Sequence, residues 1–412
     1  MFLKDQTAGW PEVGIYVGSG ASHSWIWFAD IFERAGLYSV LFLTEKEIEA
    51  GALNGCDVFF VSGGDTFAIA EGLGRSGAEE IKKFVRRGGT YIGTCAGAYL
   101  PLNSSLPPLD QFNFISSRIK NLTKNLPVPK QRAEKFCTAY GCRYVFHPVR
   151  EEVTMKLTGL SADEDDTVKA PLYGGPVLQP SDDIEVLARY AGFTDRTEFL
   201  IDDATAHKTV IGNIAAARKS FGRGTFYLFG PHFEHPDFPE ANRILFNIIF
   251  QSSRNANKNA CRQSSSEPAP GQGLTKKTYH KFLSSISNAR IVALAMERST
   301  YSWLIGRKVY DPEKIRVFLE AIWHRARRIQ ATEDYKYIHA NELAELRGLL
   351  QEITKAMKQL KAETDSSGQS CATATNLFIL LRESTAKFLA IYFRLQREIN
   401  LYQTTACASG IV

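Results

Sequence analysis

Residues 11–251 alternate short apolar runs with amphipathic stretches. The apolar runs are rich in β-branched and aromatic side chains, as buried strands are, and the amphipathic stretches have the spacing of helices. We therefore predict an α/β fold with a mostly parallel, doubly wound sheet. The predicted strands cover residues 13–17, 40–43, 58–61, 90–93 and 226–229, and the predicted helices cover residues 24–35, 81–87 and 241–250.

The last third of the chain carries a different pattern. Apolar residues recur every three or four positions, which is the spacing of a buried stripe on a helix. Three such stripes lie at residues 315–329, 343–360 and 377–402, and they predict an all-α bundle of four helices over residues 276–412. The bundle is a candidate for binding a protein partner or for self-association.

Residues 252–275 separate these two parts. They are rich in Ser, Asn, Gln, Pro and Gly, so they bury too little apolar surface to order themselves, and we predict a flexible linker. The predicted domains are therefore 1–251 and 276–412. Residues 117–170 mix basic residues, prolines and the acidic run 163–166, and we interpret them as an insertion or lid over the edge of the sheet.

Charge and hydropathy exclude several classes of protein. A formal net charge of +5 over 412 residues is mild and does not indicate nucleic-acid binding. The basic residues of the last third are typical of solvated helix faces, and the alternative is a surface for an acidic partner or nucleic acid. These residues are Arg325, Arg327, Arg328, Lys355, Lys358 and Lys361. No apolar run approaches the roughly 18 residues of a membrane span, and the first residues lack the pattern of a signal peptide. We therefore expect no membrane association.

The cysteines and the glycine motifs indicate neither a metal nor a cofactor. The chain has seven cysteines, an odd number, scattered without the spacing of a zinc site. This usage is typical of a reducing, cytoplasmic setting. Residues 72–77 spell Gly-x-Gly-x-x-Gly but do not directly follow a strand, so we interpret them as a loop between helical segments.

The strongest candidate for chemistry is Cys95, in the segment Gly-Thr-Cys-Ala-Gly-Ala that begins at Gly93. The segment follows a predicted strand, so the cysteine falls on a sharp turn into a helix, where small neighbours permit a strained backbone. The N-terminus of that helix would favour the thiolate, and the amide of Ala96 would help to hold an oxyanion. The alternative is a buried structural cysteine beside glycines that serve packing.

Two further segments fit the same chemistry. Gly63 and Gly64 follow the third predicted strand, where free amides can point at a developing oxyanion; the alternative is an ordinary turn. His232 and Glu234 follow the last predicted strand, at the edge where open α/β sheets bind ligands. The imidazole would act as general base while the carboxylate fixes its tautomer. The alternatives are a lone surface histidine, or metal ligands together with His235, although such close neighbours rarely complete a metal site.

The Gly-Gly turn, the Gly-x-Cys-x-Gly segment and the late His-x-Glu, in this order on an α/β pattern, resemble the class I glutamine amidotransferases. The resemblance implies that Cys95 attacks an amide, that His232 is the base and that Glu234 orients the histidine. It also implies that the amides of Gly64 and Ala96 form the oxyanion hole.

A narrower resemblance rests on Cys-Ala-Gly-Ala-Tyr-Leu from Cys95 and on Tyr-Gly-Gly-Pro from Tyr173. Both are similar to the domain found at the N-terminus of eukaryotic biotin-protein ligases and in stand-alone bacterial proteins. The resemblance covers about residues 11–251. No ligase domain and no ammonia-consuming synthetase domain is recognisable, so glutamine as the substrate does not follow. The candidate pocket residues are Gly63, Asp65, Tyr99, Tyr173, Gly174, Gly175 and His23.

Three functions stay open at this point. The first is a thiol hydrolase or amide-transfer enzyme that acts on a small amide-type substrate through Cys95, His232 and Glu234. The second is a regulatory module that binds a small molecule or a partner without turnover, with the bundle as its assembly domain. The third is a peptidase-like thiol hydrolase, since related folds support several activities.

Overall fold

The computed structural model describes residues 11–125, 147–160, 166–256, 274–298, 301–367 and 371–408. The contacts within the chain divide it into two compact units. The first consists of Met1–Ala35, Leu43–Lys258 and Gly306–Val309, and the second of Gly36–Phe42, Asn259–Ile305 and Tyr310–Val412. Residues 126–146 of the predicted lid, 163–165 of the acidic run and 257–273 of the predicted linker lie outside the described residues.

A nine-stranded sheet, apart from residues 40–42 of one strand, is the framework of the first unit. Its strands are β1 Val13–Tyr16, β2 Val40–Leu43, β3 Val58–Val61, β4 Thr90–Thr94, β5 Val149–Leu157, β6 Thr167–Leu172, β7 Glu185–Phe199, β8 Ile214–Phe221 and β9 Gly224–Phe229. They lie side by side in the order β2-β1-β3-β4-β9-β8-β7-β5-β6. Each of the five strands predicted from the sequence is present.

The central strands of this sheet are parallel. β3 pairs in parallel with β1 and with β4, and β4 pairs in parallel with β9. These strands are almost wholly buried, as parallel strands covered on both faces are. Their carboxyl ends meet at one edge, so the segments after Val61, Thr94 and Phe229 come together there. The α/β class is therefore confirmed.

The other half of the sheet is antiparallel, from β9 through β8, β7 and β5 to β6. β5 and the first four residues of β6 lie inside residues 117–170, which we interpreted as an insertion or lid. They are strands of the sheet itself, so that interpretation was wrong for these residues. The pattern concealed β5 for two reasons. It buries a charged residue, Arg150, completely, and two register shifts interrupt its alternation of buried and exposed positions.

The described helices of the first unit are α1 Trp25–Ala35, α2 Glu45–Glu49, α3 Thr66–Arg86, α4 Ala96–Tyr99, α5 Asp203–Val210 and α6 Pro239–Ala256. Residues 72–77, which we predicted as a loop, lie inside α3. Gly74 alone within α3 leaves the helical conformation, at φ 54° and ψ −165°. A glycine adopts such angles without a Cβ clash, so the helix is kinked there and continues.

Backbone atoms crowd the turn between β4 and α4. A Cβ on Gly97 would lie 1.9 Å from the carbonyl oxygen of Val61, and a Cβ on Gly93 would lie 2.3 Å from the carbonyl oxygen of Gly97. Between these glycines, Cys95 has φ 50° and ψ −109°, a conformation that residues other than glycine rarely adopt. Close approach of the backbone therefore requires small residues on both sides of the cysteine.

The second unit is a helical bundle. Its described helices are α7 Lys276–Met296, α8 Pro312–Thr332, α9 Ala340–Ser367 and α10 Cys371–Ala408. α7 packs against α8 and α9, and α10 packs against the same two helices. Residues of the predicted stripes, such as Leu346, Ile353 and Leu381, are buried. The predicted helical character is therefore confirmed.

A two-stranded hairpin, formed by β10 Trp303–Ile305 and β11 Lys308–Tyr310, was not predicted. Its strands have three residues each, which is too short for a recognisable alternation. Within the described parts of the chain, no helix is both long and apolar enough to cross a membrane.

Gly97→Ala should lower the free energy of unfolding of the first unit by at least about 2 kcal/mol, because the added methyl group would overlap the Val61 carbonyl oxygen. Urea unfolding measures the change. Gly192→Ala is the matched control, since a Cβ on Gly192 in β7 would meet no atom within 4 Å and should cause no comparable loss. Equal losses in the two variants would contradict the crowding at the turn.

Candidate active site

Cys95 lies at the carboxyl end of β4, on a turn that is hydrogen-bonded to the neighbouring strand β9. Its amide donates a hydrogen bond of 2.9 Å to the carbonyl oxygen of Phe229, the last residue of β9. The cysteine is partly exposed, whereas Thr94 and Ala96 on either side are buried. A strained residue at a strand end with an accessible side chain is the geometry of a nucleophile elbow.

The glycine turn after β3 lies against the turn that carries Cys95. The amide of Gly97 donates to the carbonyl oxygen of Ser62 at 3.1 Å. Within the part of the chain that the structure describes, the amides of Gly64 and Ala96 donate to no other protein group. Both are thus available for a developing oxyanion, the role predicted for them.

His232 and Glu234 form a buried pair next to Cys95. His232 Nδ1 lies 2.7 Å from Glu234 Oε1, and the same carboxylate oxygen accepts a hydrogen bond of 2.7 Å from the Thr94 hydroxyl. His232 is 3% exposed and Glu234 is fully buried. A carboxylate on Nδ1 fixes the proton there, which leaves Nε2 to exchange a proton with the thiol.

Gly63 is what allows the imidazole to reach this position. A Cβ on Gly63 would lie 2.7 Å from His232 Cε1 and 2.9 Å from the Ser24 hydroxyl. On its backbone side, His232 is held by the hydrogen bond of 2.8 Å that its amide donates to the carbonyl oxygen of Pro171 in β6. The turn after β3 and the strand β6 therefore both position the His232 ring.

The charges of this group favour the thiolate form of Cys95. Burial opposes the imidazolium, but the Glu234 carboxylate and the Cys95 sulfur raise the pKa of His232 above its usual value. Burial likewise opposes the thiolate, yet the charge and hydrogen bond of His232, together with the charge of Lys308, lower the pKa of Cys95. Both shifts favour a thiolate–imidazolium pair over the neutral thiol and imidazole. Because α4 has only four residues, its dipole contributes less than the sequence argument assumed.

An aromatic cluster covers the imidazole. The Trp27 ring in α1 is perpendicular to that of His232, with centroids 5.2 Å apart, and its centroid lies 4.5 Å from that of His235. Tyr173 lies 5.6 Å from His232, and His23 lies 5.3 Å from Trp27. Burial and the charge of His232 lower the pKa of His235, which favours its neutral form. The sequence indicated His23 and Tyr173 but not Trp27.

Gly174 and Gly175 let the chain pass close to the segment that carries His232. A Cβ on Gly175 would lie 1.8 Å from the carbonyl oxygen of Gly230. Gly174 has φ 110°, which favours glycine, and its carbonyl oxygen accepts a hydrogen bond of 3.0 Å from the Tyr99 hydroxyl. Tyr99 follows Cys95 on α4, so this contact joins the two segments of the narrower motif.

Glu151 is a residue at the site that the sequence did not indicate. Its Oε2 accepts a hydrogen bond of 2.9 Å from the Tyr173 hydroxyl. Its φ of 63° is strained for a residue other than glycine. Burial and the Glu151 charge raise the pKa of Tyr173, so the phenol keeps its proton and donates. The residue lies in the segment we interpreted as a lid, where no pattern marked it.

Asp65 acts as the N-cap of α3, where its Oδ1 accepts from the amide of Phe67 at 3.0 Å. Its Oδ2 accepts a hydrogen bond of 2.7 Å from the amide of Arg307. Among the residues with described positions, no three His, Cys, Asp or Glu side chains are grouped in a way that could hold a metal ion.

The structure thus brings Cys95, His232 and Glu234 together, and their catalytic roles stay predictions. The sequence did not indicate a role for Thr94, although this residue lies inside the cysteine motif. Its partner Glu234 is 140 positions away in sequence, so no local pattern could reveal the hydrogen bond.

Comparison with solved structures finds distant likenesses. A β-galactosidase from Bacillus circulans sp. alkalophilus is 15% identical over 63% of this chain and 32% of its own, with a TM-score of 0.33. The chain thus spans about a third of the length of that enzyme. A ThuA-like protein from Bacteroides uniformis is 15% identical over 62% of this chain and 97% of its own, with a TM-score of 0.36. A cytoplasmic protein from Salmonella typhimurium is 11% identical over 58% and 98%, with a TM-score of 0.32. Likenesses at this level carry no argument about activity.

A search of curated proteins finds no match. A protein family does match part of the chain: residues 12–105 fit the family described as "Biotin-protein ligase, N terminal". The matched segment contains Gly64 and Cys95 and ends before His232. Over these residues the chain matches the N-terminal domain family of biotin-protein ligases, which confirms the resemblance that the motifs indicated.

Proposed function

We propose that the first unit is a cysteine-dependent enzyme that cleaves or transfers the acyl group of a small amide-type substrate. The observation that supports this is the hydrogen-bonded chain from Thr94 through Glu234 to His232, next to the strained and partly exposed Cys95. A structural cysteine needs no such neighbours. Burying a carboxylate and an imidazolium is costly for folding, so their presence beside a thiol fits catalysis better.

In the proposed reaction, the Cys95 thiolate attacks the amide carbonyl carbon, an S–C bond forms and the carbonyl oxygen becomes an oxyanion. The His232 imidazolium gives its proton to the leaving nitrogen, the C–N bond breaks and an amine departs, which leaves a thioester. Water then loses a proton to His232 and attacks the thioester. The S–C bond breaks, the acid is released and the thiolate forms again.

The amides of Gly64 and Ala96 would hold the oxyanion. They belong to two turns that the hydrogen bond from Gly97 to Ser62 already joins. Donors whose positions are set before the substrate binds stabilise the transition state without reorganisation.

The acyl acceptor decides between hydrolysis and transfer. The resemblance implies an amide substrate, and we propose water as the acceptor. Cys56, Cys95 and Cys371 are free cysteines in the described parts of the chain. A nucleophilic thiol persists in a reducing compartment, which favours the cytoplasm.

A second candidate, a binding module that uses the bundle for assembly, is favoured by one surface feature. Ile291 and Leu294 on α7 are 64% and 56% exposed. Three residues apart on a helix, their side chains are neighbours and present apolar surface to solvent. Such a surface suits a protein partner or a second copy of the chain.

Thr94→Val should weaken the activation of the thiol. The buried Glu234 carboxylate loses a donor, so it supports the imidazolium less and the pKa of Cys95 rises. Alkylation of Cys95 by iodoacetamide at pH 7 should slow roughly tenfold, because a hydrogen bond to a charged group contributes about 1.5 kcal/mol. Thr94→Ser keeps the hydroxyl and should restore the rate. If Thr94→Val reacts as fast as the unmodified protein, the hydrogen-bonded chain has no role in activation.

Cys95→Ala should abolish labelling by a glutamine-mimetic electrophile and any turnover of amide substrates, with the circular dichroism spectrum unchanged. His232→Ala should slow labelling near neutral pH by about 100-fold, because the thiolate loses its counter-ion and base. The pH dependence of labelling measures both effects. Slow labelling with an ordinary thiol pKa, indifferent to His232, would favour the binding module instead.

A further inference from the structure

The segment Gly306–Val309 belongs to the first unit by its contacts, although it lies far from the rest of that unit in sequence. It is held on the carboxylate of Asp65. The Arg307 amide donates 2.7 Å to Asp65 Oδ2. Gly306, at φ 61°, comes so close that a Cβ there would lie 2.5 Å from the same oxygen. The Asp65 carboxylate thus caps the N-terminus of α3 and also holds this segment.

A second contact holds the segment in place. The Arg307 guanidinium lies 3.5 Å from the centre of the Phe67 ring, in the first turn of α3. Thr66, which lies between Asp65 and Phe67 in the sequence, donates a hydrogen bond of 3.2 Å from its hydroxyl to the carbonyl oxygen of Ala96. The surface that receives the segment therefore adjoins the turn that carries Cys95.

The charges at the reaction centre explain why a further cation is needed there. In the active ion pair, the single imidazolium of His232 lies between two anions, the thiolate and the Glu234 carboxylate. The carboxylate charge itself opposes ionisation of Cys95 and raises its pKa, whereas the charge of Lys308 lowers it. Without a second cation this poorly hydrated group of charges would carry a net negative charge, which a low dielectric penalises.

We propose that the segment Gly306–Val309 completes the active site, and that Lys308 supplies the second cation, which balances Glu234 and stabilises the negative charge on the Cys95 sulfur and on the oxyanion. The inference rests on the proposed role of Cys95 as nucleophile. It also implies that the reaction centre extends well beyond residues 12–105, the segment that matches a known family.

Alkylation of Cys95 in the full-length protein tests the proposal. The thiolate sulfur forms a bond to the methylene carbon of the reagent while the C–I bond breaks and iodide leaves, so the rate follows the thiolate fraction. Lys308→Gln should slow the reaction with neutral iodoacetamide at pH 7 about fivefold. The slowing for anionic iodoacetate should be greater, because that reagent also loses its attraction to the lysine. Lys308→Arg should keep both rates.

Two further comparisons separate a charge effect from a change in folding. Lys83→Gln removes one lysine charge from an exposed ion pair on α3 and should leave both rates unchanged. Raising the salt concentration should lower the iodoacetate rate of the unmodified protein and affect Lys308→Gln less, because ions screen the attraction. Asp65→Asn keeps one oxygen for the helix cap and removes one of the two acceptors, so it should shift the rates in the direction of Lys308→Gln.

The outcomes distinguish this inference from the proposed function. Slow alkylation of the unmodified protein, with an ordinary thiol pKa, overturns the role of Cys95 and the inference with it. Fast alkylation that Lys308→Gln leaves unchanged overturns the inference alone. Equal losses in Lys308→Arg and Lys308→Gln also overturn it, because the effect would then come from the shape of the side chain and not from its charge.

Discussion

The rest of the candidate site depends on one buried carboxylate, that of Glu234. The side chain is fully buried, and its Oε1 accepts hydrogen bonds from Thr94 and from His232. A charged group in such a place is costly for folding unless donors and a counter-charge accompany it, and Thr94 and His232 supply these. Without the Glu234 side chain, the His232 imidazolium would lose its counter-charge, and its effect on the Cys95 thiol would weaken. In the proposed reaction, the reactivity of the Cys95 thiol therefore depends on Glu234 and Thr94, two residues that need not touch the substrate.

The register between β4 and β9 is what brings these groups together. Thr94 pairs with Phe229 at the ends of the two strands, and the Phe229 carbonyl accepts from the amide of Cys95. Consecutive side chains on a strand point to opposite faces, so a slip of one residue would turn the Thr94 hydroxyl away from Glu234. The burial of these strands makes such a slip costly, because it would repack both faces of the sheet. Packing of the core thus fixes the geometry of the hydrogen-bonded residues Thr94, Glu234 and His232.

How much of this could be predicted from the sequence depends on how local each signal is. β3 and β4 were predictable because each is a short apolar run bounded by polar or glycine residues, and Cys95 was predictable because the glycines that permit its strained turn are its near neighbours. His232 followed from its place after a strand. β5 was not predictable, since a charged residue inside a strand, here Arg150, contradicts the pattern of a buried run. The contact between Thr94 and Glu234 was not predictable either, because nothing in either local segment depends on the other.

The antiparallel half of the sheet holds part of the candidate site in place. Cys95, the proposed nucleophile, and the glycine turn lie within residues 12–105, but His232 is held by residues outside that segment. The His232 amide bonds to Pro171 in β6, and Gly175 packs directly on Gly230. A chain that kept the matched segment and lost β5 to β8 would retain the cysteine turn, but His232 would have no fixed position. The strands at the edge of the sheet therefore position His232, the proposed general base, and a match to the segment that carries Cys95 does not by itself imply the same chemistry.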